Sequence, residues 1–137
     1  TYRNDIRSLR GLEFIDHARG EDSNYQYASL SVDEQQTGLS RDLLLSILRA
    51  ENIIARRYFH PGVHRIPPFN EAHSPLTDTF RVTDELSNSL IQLPINGETT
   101  ISHCHRIIEI MGFCLDHSEE IQSKTVLLDE ERPLNFG

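Results

Sequence analysis

Between Tyr25 and Asp33 the chain reads YQYASLSVD, with Ala28, Leu30 and Val32 on one face and Tyr25, Tyr27, Ser29 and Ser31 on the other. Period-two alternation is the mark of a strand with one buried face. Upstream, Tyr2, Ile6 and Leu9 recur at helical spacing and predict a short helix ending at Gly11. A brief strand in GLEFI and the polar loop DHARGEDSN follow. Downstream, Ser40 is a natural N-cap for RDLLLSILRAEN, and Leu39 and Leu44 stand where a hydrophobic staple forms. Leu44, Ile47 and Leu48 supply that helix's inward stripe, and Asn52 suits its C′ position. IIARRYF, residues 53–59, predicts a second main strand, after which Pro61, Gly62, Pro67 and Pro68 hold the chain in irregular structure to about Thr77.

The second half continues the mixture. A helix is predicted from about Asp78 to Leu90 with Val82, Leu86 and Leu90 inward, then a short strand in IQLPI cut by Pro94. Thr99 or Thr100 caps a longer helix in which Ile101, Cys104, Ile108, Met111 and Leu115 repeat at spacings of 3, 4, 3 and 4. The closing TVLLDEERPLNFG carries no regular pattern, so residues 1–125 are expected to form one domain and 126–137 a tail of unassigned structure. Few strands separated by helices predict an α+β fold: a small antiparallel or mixed sheet of about three strands packed by helices.

Composition narrows the function. The chain has 137 residues and a formal charge of −8, with 37% apolar and 25% charged residues, which fits one folded soluble domain. An acidic balance argues against general nucleic-acid binding, and no apolar run reaches the length of a membrane span. The first residue is Thr1 rather than methionine, which suggests a fragment or a processed product. Cys104 and Cys114 fall in one predicted helix, about 15 Å apart at about 1.5 Å per residue, too far for a disulfide between them. Reduced, buried thiols are expected.

Positive charge is nevertheless concentrated. RRYFHPGVHR, residues 56–65, holds three of the thirteen lysine and arginine residues and two of the seven histidines. On a strand, Arg56 and Tyr58 would share one face and Arg57 and Phe59 the other, and a guanidinium beside a phenol suits an anionic, ring-bearing ligand. The turn at Pro61 and Gly62 would bring His64 near the strand end. The same stretch also reads as an edge strand with solvated arginines. His60 and His64 are four apart, but Pro61 and Gly62 forbid the helix that would converge them on a metal, and adjacent helical positions in HCH (103–105) diverge. No metal site is expected. Cys104 lies on the apolar stripe, and no nucleophile elbow, phosphate-binding loop or dinucleotide fingerprint is present. No catalytic residue is expected in this chain.

The ordered segments YRNDIRSLRGLEF, YQYASLSVD, LLLSILRAENIIARRYFHPGVHRIPPF and LSNSLIQLPINGETTISHCHRIIEIM resemble the C-terminal region of DegT/StrS-type sugar aminotransferases, from Tyr2 to Met111. The resemblance implies the C-terminal small domain of a fold-type I, pyridoxal-phosphate-dependent enzyme that aminates keto-sugars carried on nucleotides, with glutamate as the expected donor. It further implies a cytoplasmic homodimer whose cofactor and Schiff-base lysine belong to an N-terminal large domain missing here. The positions matching the family's substrate-facing block are Arg57, Tyr58 and His64, expected to position the nucleotide sugar. The family has a proline two residues before the matching histidine, where this chain has Gly62. The sequence holds one lysine, Lys124, beyond the region of resemblance, so no covalently bound cofactor is expected on this chain and the fragment is expected to be inactive by itself. The alternative is a stand-alone binding or oligomerisation module derived from that domain.

Overall fold

A computed structural model describes residues 1–17, 22–72 and 80–130, without the side chains of 71–72 and 126–130. Its centre is the pairing of two strands distant in sequence, β2 (Ala28–Val32) and β4 (Leu90–Leu93), flanked by β1 (Leu12–Phe14) and β3 (Arg56–Arg57). The sheet has four strands in the order β1-β2-β4-β3, antiparallel throughout. The fold is α+β with a small antiparallel sheet, as expected, and the sheet has four strands where about three were anticipated.

Register decides which face is buried. Ala28 opposes Leu93, Leu30 opposes Ile91, and Leu12 opposes Val32, so six apolar side chains line one face. The opposite face carries Ser29, Ser31 and Gln92. Slipping any strand by one residue would exchange these sets, which is why the alternation specifies the pairing strongly. The predicted strand from Tyr25 is shorter than its alternation, because Tyr25 adopts a left-handed φ of 50° that no extended ladder accommodates. β3 is shorter still, two residues instead of the expected seven, since left-handed Asn52 (φ 60°) and Phe59 (φ 45°) bracket it.

Helices cover the apolar face. α1 (Tyr2–Asp5) runs into a single 3₁₀ turn, Ile6–Ser8, and both bury a residue in the core. α2 (Glu34–Thr37) was not anticipated. Asp33 caps it by accepting from the backbone of Gln35 and Gln36, and Gly38 ends it at φ 71°. α3 (Arg41–Ala50) begins at the expected Ser40 cap, whose hydroxyl accepts from Leu43 N, and buries Leu44, Leu45 and Leu48. α4 (Phe69–Ala72) interrupts what was expected to be irregular chain.

α5 (Arg81–Ser89) departs from expectation. Asp78 lies outside the described residues, and Leu90 belongs to β4. Val82 and Leu86, expected inward, are 60% and 48% exposed. Leu86 lines a cleft with the loop after β3 and Val82 is open to solvent. α6 (Ile101–Asp116) starts at Thr100, where His103 closes a capping box: Thr100 Oγ1 accepts from His103 N, and His103 Nδ1 accepts from Thr100 N. Its core stripe is Ile107, Met111 and Cys114, with Cys104, Ile108 and Leu115 at the flanks, while Ile101 is exposed because the first turn lies outside the core. Both cysteines are free thiols. α7 (Ser118–Glu130) gives helical structure to part of the unassigned C-terminal stretch. Among the described residues no helix is long and apolar enough to cross a membrane.

One charged side chain is locked in the interior. Arg41, 4% exposed, donates through Nη1 to the carbonyls of Ser87 (2.9 Å) and Leu90 (3.0 Å). Those carbonyls sit at the junction of α5 and β4, so one guanidinium ties the start of α3 to the entry of the central strand. Arg41→Met should destabilise the chain by about 2–4 kcal/mol, because it leaves buried acceptors unpaired. Urea unfolding would measure it, and Arg41→Lys should recover only part, having no planar fork.

Candidate functional site

The short β3 strand delivers the basic stretch to a concave surface between its following loop and α5. Because Phe59 turns left-handed, the chain leaves the sheet immediately after Arg57. It passes through Tyr58, Phe59 and cis His60–Pro61, and makes a 3₁₀ turn at Val63–Arg65. A cleft of about 510 Å³ results, lined by Tyr58, Phe59, Gly62, Val63, His64, Phe69, Phe80, Thr83, Leu86, Ser87 and Leu90. Its walls are mainly apolar and aromatic, as in ligand pockets that use a few polar groups for orientation.

Tyr58 meets Tyr27 edge-on at 5.5 Å and Phe59 at 4.3 Å. His64 is held on two sides. Its ring stacks on Phe80 at 4.7 Å and 16°, and its Nε2 lies 2.9 Å from Asp84 Oδ1. Asp84 is also gripped by Arg65, with Nε 2.7 Å from Oδ1 and Nη2 2.6 Å from Oδ2. The Arg65 pair first, and His64 second, hold the Asp84 carboxyl well below the usual range, at about 2, although desolvation works against them. Asp84 is therefore an acceptor at any physiological pH.

Arg57 stands elsewhere. It opposes Ile91 in the ladder, which places it on the helix side of the sheet, where its Nε meets Asp42 Oδ1 of α3 at 2.9 Å. Burial raises the Asp42 carboxyl, but the Arg57 hydrogen bond and the charges of Arg41 and Arg57 outweigh it and hold it low. Arg56 opposes Gln92 on the other face and is exposed. Thus Tyr58 and His64 share the cleft, Arg57 lies outside its lining, and Arg56 does not join Tyr58 in a strand face. The two histidines of the loop part company: His60 Nδ1 is 3.4 Å from Arg41 Nη2, while His64 faces Asp84.

Asp84 and Phe80 escaped sequence reasoning. Asp84 occupies the first turn of α5, where an acidic residue is explained by helix electrostatics alone, and its partner His64 is 20 positions away. The sequence held no usable signal: Val82 and Leu86 repeat at helical spacing, and only the structure shows that they are exposed.

A sequence model of the DegT/DnrJ/EryC1/StrS aminotransferase family matches residues 1–112. The chain belongs to that family. It is 27% identical over 94 residues to dTDP-4-amino-4,6-dideoxy-D-glucose transaminase of Escherichia coli, covering 69% of this chain and 25% of that protein. The Shigella dysenteriae transaminase of the same name is 31% identical over 99 residues, covering 71% and 26%. Among solved structures, DesI in the presence of its TDP-sugar product superposes with a TM-score of 0.79 and 30% identity, over 90% of this chain and 31% of DesI. A putative PLP-dependent aminotransferase from Bacillus cereus shares the fold, with a TM-score of 0.63, 17% identity, and coverage of 81% and 29%. The chain spans about a quarter of the length of the curated transaminases it matches.

Family membership raises the question of pyridoxal phosphate, and the described residues do not suit it. Lys124 is 70% exposed on α7 and pairs with Glu120 at 2.7 Å; it lines a separate groove between α3, α6 and α7 and is not among the residues of the Tyr58–His64 cleft. Among the described residues that line that cleft there is no lysine to hold the cofactor's aldehyde.

The Asp84 pairs set a pH dependence. Because the folded carboxyl lies near 2 against an ordinary 3.8, its stabilisation is complete above the ordinary value and is lost as pH falls through the folded one. The melting difference between the natural chain and Asp84→Asn should hold from neutrality to about pH 4, then shrink and vanish near about pH 2. Thermal melts at stepped pH would check this.

Proposed function

We propose that this chain is the C-terminal domain of a nucleotide-sugar aminotransferase and that it helps to position the sugar nucleotide. The whole enzyme would transfer an amino group, with glutamate as donor, to a keto-sugar such as a 4-keto-6-deoxyhexose carried on a nucleotide. The family match over residues 1–112 carries this reading, and the similar dTDP-sugar transaminases and DesI with its TDP-sugar product agree with it. Pyridoxal phosphate and its lysine would belong to an N-terminal large domain of the same enzyme, and the enzyme would act as a homodimer in the cytoplasm. Within this domain the reading gives Tyr58 and His64 hydrogen bonds to the sugar nucleotide. Arg57 would add positive charge near the diphosphate, at reduced strength while Asp42 is paired with it.

The experiment is a comparison of half-reactions in the whole enzyme. His64→Ala or Tyr58→Ala should raise KM for the sugar nucleotide about tenfold, the worth of one ligand hydrogen bond, and leave amino-donor turnover unchanged. Arg57→Ala should do less. Equal losses in both half-reactions would count against a positioning role. For the chain by itself, mixing with pyridoxal phosphate and reducing with borohydride should leave no stoichiometric adduct at Lys124, as mass spectrometry would reveal.

A second reading is favoured by one observation: Phe59, Val63, Phe69 and Leu86 line one cleft and are all exposed, an apolar patch of the kind that a partner covers. On that reading the chain is a stand-alone, non-catalytic binding or oligomerisation module. A start codon shortly before Thr1 in the encoding gene would favour it, and coding sequence for a lysine-bearing large domain would favour the first.

A further inference from the structure

We infer that Asp84 is a positioning residue that fixes the tautomer and aim of His64, with Gly62 leaving the room the ring needs, so that the site offers its ligand a hydrogen-bond acceptor at Nδ1. This rests on the proposal above that His64 meets the sugar nucleotide, and it adds which chemical group His64 can recognise.

The geometry constrains the ring at three places. An ionised carboxylate only accepts hydrogen bonds, so Asp84 Oδ1, 2.9 Å from Nε2, requires the proton on Nε2. A neutral ring then keeps Nδ1 as its lone-pair nitrogen. Phe80, stacked at 4.7 Å and 16°, sets the plane. The far edge of the ring rests where a side chain at position 62 would be: a Cβ built on Gly62 would lie 2.9 Å from Cε1 and 3.2 Å from Nδ1. Gly62 also has φ +90°, a conformation that L side chains rarely adopt. The carboxylate itself is fixed by the two-pronged Arg65 pair, so its aim is not free to drift.

The consequence is chemical selectivity. A neutral imidazole presenting Nδ1 accepts from a hydroxyl or an N–H, and gives nothing to a phosphate oxygen, which also only accepts. While its ring is neutral, His64 therefore reads a donor on the ligand, which in a sugar nucleotide means a ring hydroxyl or a base N–H. Removing the hydroxyl it reads would leave a half-buried acceptor unpaired, the kind of mismatch by which sites reject analogues.

Two measurements test this. In the 137-residue chain, long-range ¹H–¹⁵N spectra should find neutral His64 protonated on Nε2, with that proton slow to exchange. Asp84→Leu should speed the exchange about tenfold or more, consistent with loss of a charge-assisted hydrogen bond. Gly62→Ala, which leaves Asp84 intact, should do the same by displacing the ring. Protonation on Nδ1 in the natural chain, or exchange unaffected by both variants, would overturn the inference whatever the enzyme does. In the whole enzyme, Asp84→Leu should raise KM for the sugar nucleotide about as much as His64→Ala, roughly tenfold, with the double variant no worse than either. Asp84→Asn, which keeps an acceptor oxygen, should recover most of the loss. Multiplying effects, toward about a hundredfold, would mean that Asp84 acts independently of His64 and would also overturn it. If His64→Ala leaves KM unchanged, the positioning role of this site fails, while the tautomer measurement still decides what Asp84 does to the ring.

Discussion

The interior Arg41 guanidinium is the constraint from which the arrangement of this domain follows. The central ladder joins strands separated by more than fifty positions, and its two members reach one another only if α3, α5 and the basic loop are placed together. Arg41 touches all three. Nη1 takes the carbonyls of Ser87 and Leu90 where α5 hands over to β4, Nη2 reaches His60, and Nε lies 2.6 Å from Asp42 Oδ1 without hydrogen-bond geometry. Burying a cation costs several kcal/mol, which the Nη hydrogen bonds and the adjacent Asp42 charge offset only while these groups keep their places, Nε being left without a hydrogen bond. That arrangement puts the loop carrying Tyr58 and His64 opposite the exposed face of α5.

This also explains why an acidic chain concentrates arginine and histidine in ten residues. Two of the three arginine charges are neutralised from outside the stretch: Asp42 takes Arg57 and Asp84 takes Arg65, while Asp84 also holds His64. Most of the positive potential is spent within the domain, fixing the loop to α3 and α5. The surface that remains for a ligand is aromatic, with one oriented imidazole and one phenol. Such a surface discriminates by shape and hydrogen-bond polarity more than by long-range attraction, which at a Debye length of about 8 Å would be weak in any case.

Legibility in the sequence followed the range of the physics involved. The β2 alternation, the Ser40 cap and the left-handed Asn52 were readable because periodicity, capping and backbone conformation act within a few residues. The amphipathic α6 was readable as a helix but its stripe shifted, since the core reached Ile107 and Cys114 and not Ile101. What failed was long-range. β3 shrank because Phe59 turns, which no propensity announces, and Val82 and Leu86 looked inward because periodicity cannot say which of two surfaces an apolar face meets. For the site, residue types and the loop were visible, whereas the Asp84–His64 contact bridges two segments whose approach depends on Arg41. Nothing local marks it.

The division of labour in this domain follows from where its amines and carboxylates lie. Its lysine is solvated on the last helix, and the carboxylate behind His64 is committed to an arginine and a histidine, so neither is free to exchange a bond or a proton with a reactant in the cleft while that network is intact. The strain that a positive φ at Gly62 would impose on any other residue, and the burial of Arg41, are both directed at holding one side-chain orientation. Orientation of a bound reactant is worth several kcal/mol when another part of the protein performs the bond changes. An imidazole aimed in this way is what the proposed positioning role requires, since orientation needs a fixed side chain and no bond change at that residue.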